Sequence, residues 1–250
     1  MSRIYVYTDT ETLPTDRADV IERVVAKIDA PATYKDPEKI AAYKAEKSAD
    51  AVAKTALSGL FGRVCVAAWA INDFPVCAYT AIDAVSTEET TGDAPVVFDE
   101  RGLLFDFFQA VDADIKAKIT AMNPNGFANH AQHTVTIVGH NVAAFDLPML
   151  KQRAIVLGVP LPSWFPLDAK PWDEVINDTM LMWASARGTV SMSDLCTALG
   201  IPDDDPISGA DVSRVWSEGR FEVVRDHCIH DVEKARAVHK RMMAAFARAA

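Results

Sequence analysis

Close cysteine pairs are missing from this chain. Cys65, Cys77, Cys196 and Cys228 lie far apart, which excludes a zinc-ribbon spacing and a disulfide scaffold and fits a reducing cytoplasm. No run of about twenty apolar residues occurs, so nothing reads as a membrane span. The first residues reach Arg3 and then a strand-like stretch ending in acids, which is not the pattern of a signal peptide. Internal repeats, low-complexity tracts and long linkers are also lacking, so residues 1–250 read as one domain. Basic residues are scarce: 25 Lys and Arg stand against 35 Asp and Glu, a formal net charge of -10. That sign ordinarily counts against a nucleic-acid partner, unless the acids are gathered to hold cations, which reverse the local field. From Ser217 onward basic residues (Arg220, Arg225, Lys234, Arg236, Lys240, Arg241 and Arg248) locally outnumber acidic ones.

What is present reads as alternating strands and helices. Arg3–Thr8 alternates and is rich in β-branched and aromatic residues, the pattern of a strand. Asp16–Asp29 shows helical spacing through Val20, Ile21, Val24, Val25 and Ile28. Residues 31–56 are charged and helix-prone, with Asp36-Pro37-Glu38 as cap and first turn, and read as a helical insertion after the first strand. Its Lys35, Lys39, Lys44 and Lys47 suit either solvent or a polyanion. Arg63–Ile71 and Val76–Ile82, parted by Asn72-Asp73-Phe74-Pro75, read as a hairpin. Asp83–Pro95 reads as a loop. Asp99–Ala121 is an amphipathic helix with Leu103, Leu104, Phe107, Phe108, Val111 and Ile115 on its apolar side, stopped by Asn123-Pro124-Asn125-Gly126. A buried strand follows at Thr134–Val138, then a helix that Asp146 can cap, a proline-rich loop over Gly158–Trp172, and a short strand at Val175-Ile176-Asn177. Helices over Asp178–Ala186 and Ser193–Leu199 and a long one from near Gly219 complete an α/β pattern, one mixed sheet with helices on its faces.

Four acids stand out within it. Asp9 and Glu11 close the apolar run Ile4-Tyr5-Val6-Tyr7-Thr8 and, being two apart, face the same way on a strand. Asp146 follows Ile137-Val138-Gly139-His140-Asn141, and Asp231 ends His227-Cys228-Ile229-His230-Asp231. Each has an ordinary reading alone: a solvated strand end, a helix cap, a surface acid. Brought together they make a cage for hard divalent cations such as Mg2+ or Mn2+, a means of activating water against a phosphodiester. His227 and Asp231 are four apart, so both project from one helix face. His140 suits a structural hydrogen bond, His230 faces elsewhere on its helix, and His130, His133 and His239 join no constellation.

Taken together, these segments resemble the DEDD superfamily of 3'→5' exonucleases. The motifs are an apolar strand ending in Asp-x-Glu (Asp9, Glu11), Asn-x(2-3)-Phe-Asp after a second apolar strand (Asn141 through Phe145-Asp146), and an Asp on a late helix (Asp231). Asn177-Asp178-Thr179-Met180, Ser193-Asp194-Leu195-Cys196 and Leu199-Gly200-Ile201 also look like the stretch before the third motif. The closest likeness is to relatives of the proofreading domain of family-B DNA polymerases. The resemblance implies an RNase H-like fold and a two-metal hydrolase, with Mg2+ or Mn2+ held by Asp9, Glu11, Asp146 and Asp231. It implies a single-stranded or 3'-ended nucleic acid as substrate, DNA ahead of RNA. Nucleoside 5'-monophosphates would be the products. Thr10, Thr12, Leu13, Asn141 and Phe145 would line the cleft for the terminal nucleotide, and His227 would accept the water's proton or hold the water in line. One departure stands out: His227 occupies the Tyr position of Tyr-x3-Asp, and the His subclass places its His one residue earlier, where this chain has Asp226.

Two other readings differ in their chemistry. A non-catalytic nucleic-acid-binding module could keep this fold, although all four acids are present. A haloacid-dehalogenase-type phosphatase also places two acids two apart after its first strand, but its second acid is normally Asp, and no later Lys with paired acids is evident here.

Overall fold

The computed structural model describes residues 2–82, 97–123, 133–170, 173–185 and 188–247. Its sheet has five strands in the order β3-β2-β1-β4-β5. The strands are β1 (Ser2–Leu13), β2 (Arg63–Ile71), β3 (Cys77–Thr80), β4 (His133–Gly139) and β5 (Ile176–Asp178). β1 runs antiparallel to β2 and parallel to β4, so it is the central strand on which the fold is built. The expected loop over Asp83–Pro95, the helix stop at 124–126, Pro171, Trp172 and His130 lie outside the described residues.

Helices cover both faces. α3 (Glu100–Met122) and α4 (Asp146–Leu157) pack on one face, where Ile4, Val6, Trp69 and Ile137 meet the buried Leu103, Leu104, Phe107, Phe108, Val111 and Ile115. This is the apolar stripe read from the spacing of α3. The other face carries α7 (Val212–Ser217) and α8 (Phe221–Phe246), whose Val215, Val224, Cys228 and Val232 pack on Tyr7, Leu13, Val66 and Ala68. Two short helices, α5 (Thr179–Ala184) and α6 (Met192–Leu199), bridge from β5 towards α8. Among the described residues no helix is long and apolar enough to cross a membrane.

The insertion after β1 is helical, as expected. It comprises α1 (Ala18–Val25), α2 (Pro37–Ala53) and a 3-10 turn at Lys54–Leu57. Asp36 caps α2 by accepting from the backbone N–H of Glu38, with Pro37 in the first turn, a position whose missing donor costs nothing. No α2 residue is buried. Lys44 pairs with Asp29, and Lys47 with Glu46 and Asp50.

The structure departs from the sequence reading most at β1. The strand does not stop before the acids but continues through Asp9 and Glu11 to Leu13, paired with β2 across a register shift between Glu11 and Thr12. The alternating pattern gave no sign of this, because the pairing partner and not the apolar content decides where a strand ends.

A buried ion pair locks this assembly. Arg153 of α4 donates from Nε and Nη2 to Glu100 of α3 at 2.8 and 2.7 Å. Glu100 also accepts the backbone N–H of Val64 at 2.8 Å, and Arg153 reaches the carbonyl of Gly59. Two helices, β2 and the exit of the insertion thus meet at one charge pair whose side chains are 8 and 6 % exposed. Removing one partner strands the other in a low-dielectric interior. Arg153→Met should therefore cost about 3–5 kcal/mol in urea unfolding, and the Glu100→Gln, Arg153→Met double variant should recover part of that loss. Equal stability of both variants and wild type would contradict this account.

Candidate metal centre

Beyond Tyr7, β1 keeps its pairing with β2 but loses β4, whose last partner opposite it is Val138. Strand alternation then sorts the side chains that follow. Asp9 and Glu11 project towards α8, while Thr8 and Thr10 lie on the other side. β4 ends at Gly139, where an added Cβ would sit 2.8 Å from the carbonyl oxygen of Thr8; only glycine allows so close an approach. The turn 140–145 is then held by Asp178, whose carboxylate accepts the backbone N–H groups of Asn141, Ala143 and Met180, each at 3.0 Å. Within that turn Asn141 adopts φ 60.

The turn delivers Asp146 to the open edge of β1. Its Oδ1 accepts both the backbone N–H of Thr10 at 3.0 Å and the Thr10 hydroxyl at 2.7 Å. A buried carboxylate thus takes the donor that β4 no longer satisfies. The expected helix cap is not formed by Asp146: Phe145 is the N-cap residue and Asp146 the first residue of α4. Its carboxylate faces β1 rather than its own helix.

From the opposite face α8 crosses the same end of β1. The buried Val224, Cys228, Val232 and Ala235 recur at helical spacing, which lays this stripe on the sheet and puts His227 and Asp231 at its margin. His227 Nε2 stands 3.3 Å from Glu11 Oε1 and 3.9 Å from Asp231 Oδ2. Its Nδ1 is 2.6 Å from Asp205 Oδ2. Cys228 Sγ lies 3.4 Å from Asp9 Oδ2. Lys234 closes the outer side, 2.7 Å from Asp231, 3.0 Å from Asp203 and 3.5 Å from Asp205.

Two groups of possible ligand atoms result, each with its members within 4.8 Å of one another: Asp9, Glu11 and Cys228, and Glu11, His227 and Asp231. Glu11 belongs to both. Asp146 stands outside these groups, yet its charge is felt. Burial, then Asp146 and Asp231, push the Asp9 carboxyl well above its usual range. Burial and the charge of Asp9 do the same to Glu11. Asp146 is pushed up to about 7 by burial, which the Thr10 hydrogen bonds only partly oppose. Burial also raises the Cys228 thiol, with Asp9 adding to it. Lys234 goes up: burial works to lower it, and Asp231 and Asp203 prevail. Acids in this state are relieved by a proton or by a cation. A mostly oxygen donor set with one imidazole, closely spaced and mutually repelling, fits a divalent metal ion.

The remaining candidates fall into place around this centre. Thr12 and Leu13 are buried at the end of β1, and Leu13 packs beneath α7. Phe145 is half-buried against the α3 and α4 core. Thr10 has its hydroxyl engaged by Asp146. His140 is structural, bonded to Thr179 Oγ1 and the carbonyl of Val190. His239 is buried between Tyr7 and Asn177 and lowered to about 4 by burial. His133 lies beside Asn123, and His230 sits 3.8 Å from Asp205 rather than facing Asp231.

Asp178, Asp205, Cys228 and Lys234 were not legible as members of the site. Asp205 ends Asp203-Asp204-Asp205, which reads as an exposed acidic turn; only tertiary folding brings it under His227. Lys234 carried a faint signal, being three residues beyond Asp231 and so on its face of the helix.

Residues 93–248 match the family described as "Predicted 3'-5' exonuclease related to the exonuclease domain of PolB". The matched stretch contains Asp146, His227 and Asp231, while Asp9 and Glu11 precede it. Among solved structures, the family B DNA polymerase from the hyperthermophilic archaeon Pyrobaculum calidifontis aligns with 96% of this chain, at a TM-score of 0.55 and 16% sequence identity. That is a likeness of fold, and the chain spans 24% of the polymerase chain. No curated protein matches the chain.

The buried acids make stability depend on pH. A carboxyl raised from 3.8 to about 7 keeps its proton in the fold where the unfolded chain has lost it. Its stabilising contribution is present below pH 4 and is lost as pH rises through 7. In EDTA, Asp146→Asn should match wild type at or below about pH 4, draw ahead as pH rises, and exceed its melting temperature near pH 8 by on the order of 5 °C. A wild type that gains on the variant as pH rises would refute the assignment.

Proposed function

The chain belongs to the family of predicted 3'-5' exonucleases related to the exonuclease domain of PolB, and from that premise we propose that it is a working 3'→5' exonuclease. Its substrate is a single-stranded or 3'-ended nucleic acid, DNA ahead of RNA, and its products are nucleoside 5'-monophosphates. The observation that carries this reading is the gathering of Asp9, Glu11 and Asp231 with His227 at one end of β1, with Asp146 at the strand's open edge. A degenerate binding module would have no need to keep such acids buried against their mutual repulsion.

Asp9, Glu11, Asp146 and Asp231 would hold two divalent cations, Mg2+ or Mn2+. Bound there, such ions supply a water of lowered pKa and stabilise the charge on the leaving 3' oxygen. The chain's own groups do the rest. Thr10 fixes Asp146 through two hydrogen bonds to one oxygen, which sets the carboxylate's orientation before substrate arrives. Asp178 fixes the turn carrying Asn141 and Phe145, and these residues, with Thr12 and Leu13 at the end of β1, would frame a terminal nucleotide. His227 presents Nε2 to the same cluster, where a neutral imidazole can take a proton or a metal. Lys234 balances part of the acidic charge through Asp231 and Asp203.

The single domain across 1–250 and a cytoplasmic setting complete the proposal. All four cysteines are free, as a reducing compartment would leave them.

Matched 5'-labelled DNA and RNA oligonucleotides, incubated with Mg2+ or Mn2+, test this directly. A metal-dependent ladder shortening from the 3' end is expected, stronger on DNA. Asp9→Ala and Asp146→Ala should each lower the rate about a hundredfold or more, the scale of losing a stabiliser of transition-state charge. Metal-dependent binding without shortening would instead favour a non-catalytic module, and free phosphate as the product would favour a phosphatase.

A further inference from the structure

The geometry points to His227 as a metal ligand. Its Nε2, with carboxylate oxygens of Glu11 and Asp231, forms a nitrogen-bearing subsite for a borderline transition ion such as Mn2+ or Co2+ in preference to Mg2+, and Asp205 is its positioning residue. This deepens the proposed function and rests on its reading of these acids as a metal-holding cluster.

Spacing comes first. Nε2 is 3.3 Å from Glu11 Oε1 and 3.9 Å from Asp231 Oδ2. Two ligands on one ion with bonds of about 2.1 Å stand roughly 3.0–3.6 Å apart at angles of about 90–120°, a separation that Glu11 meets and that Asp231 would reach by a small movement of its carboxylate. At 3.3 Å no water fits between the imidazole and Glu11. Nε2 therefore stands at the separation of two ligands that share one ion.

The ring's other nitrogen supports the same role. Asp205 Oδ2 lies 2.6 Å from Nδ1, and an ionised carboxylate can only accept. Nδ1 thus carries the hydrogen, and the lone pair of a neutral ring is on Nε2, facing Glu11 and Asp231. An imidazole backed by a carboxylate is the usual support of a metal-bound histidine, and it fixes both tautomer and ring plane. The arrangement is held from outside as well. Both side chains of the pair are only 5 % exposed, and the Lys234 ammonium is 3.5 Å from the same Asp205 oxygen while bonded to Asp203. His227 has no room to swing out of the cluster.

The donor set then decides the ion. Mg2+ holds oxygen ligands and gives up water reluctantly, so an imposed imidazole gains it little. Mn2+, Co2+ and Zn2+ accept imidazole nitrogen beside carboxylates, with affinity rising along that series of softer ions.

The full chain, stripped with EDTA and titrated with Mn2+ or Mg2+, provides the test in wild type, Asp205→Asn and His227→Ala. Calorimetry reads the affinities, and pulsed electron paramagnetic resonance of bound Mn2+ reads coupling to a directly coordinated 14N. Wild type should show the nitrogen coupling and His227→Ala should lose it. Asp205→Asn, which leaves the imidazole in place, should weaken Mn2+ binding about 10–100-fold, the usual effect of removing a ligand's supporting carboxylate. Its Mg2+ affinity should change less than about threefold, since that ion depends on oxygen donors. Wild-type Mn2+ without nitrogen coupling, or equal losses for both ions in Asp205→Asn, would overturn the assignment. If His227→Ala fails to fold, the wild-type coupling and the Asp205→Asn affinities still decide. Nitrogen coupling without 3'-end degradation would keep this assignment and remove the exonuclease reading, and degradation without nitrogen coupling would do the reverse.

Discussion

Mutual repulsion among buried carboxylates is the constraint on which this structure turns. Asp9 and Glu11 leave the sheet side by side, Asp231 approaches from α8, and Asp146 lies at the strand's free edge. Burial holds Asp9, Glu11 and Asp146 towards their neutral forms, and the neighbouring charges add to the cost of ionising Asp9 and Glu11. A fold that accepts this cost at one spot, while pairing the buried Glu100 with Arg153 at another, has not simply left acids unattended. The acids are relieved only by protons, by Lys234 in part, and by a cation in full.

Three features of the backbone bring about that concentration. β1 runs past the end of its partner β4, which opens an edge for Asp146 without leaving the Thr10 N–H unpaired. Gly139 lets β4 pass close to Thr8 before turning away. The apolar stripe of α8 lies flat on the sheet and sets His227 and Asp231 along its margin. Strand alternation does the last sorting, sending the two acids of β1 to the α8 side and Thr10 to the α4 side. The site is therefore a product of strand length and register more than of any loop, which keeps its geometry tied to the most buried part of the molecule.

Much of this could be read from the sequence, and the reasons are specific. The α3 stripe, the insertion, the hairpin and the long last helix announce themselves through periodicity and through turn and cap residues such as Asp36-Pro37 and Asn72-Asp73-Phe74-Pro75. Asp9 and Glu11 were legible because two acids after an apolar alternating run are unusual, and His227 with Asp231 because four residues make one helical face. What stayed hidden depends on contacts between distant segments. Nothing in the order of residues says that β1 continues to Leu13, since β2 supplies that pairing. Asp146 looked like a cap because caps are local, whereas its real partner, Thr10, is 136 positions away. Asp205 belongs to no motif of the sequence, and its role follows only from being folded beneath Nδ1 of His227. Asp178 carries no local mark of the turn it holds.

The central claim is that Asp9, Glu11 and Asp146 keep protons in the fold and exchange them for metal. Calorimetric titration of EDTA-treated protein with Mn2+ near neutral pH, repeated in buffers of different ionisation enthalpy, measures that exchange. The account predicts saturable binding with net release of protons, reduced in Glu11→Gln. Binding with no proton release, or no saturable binding at all, would contradict it.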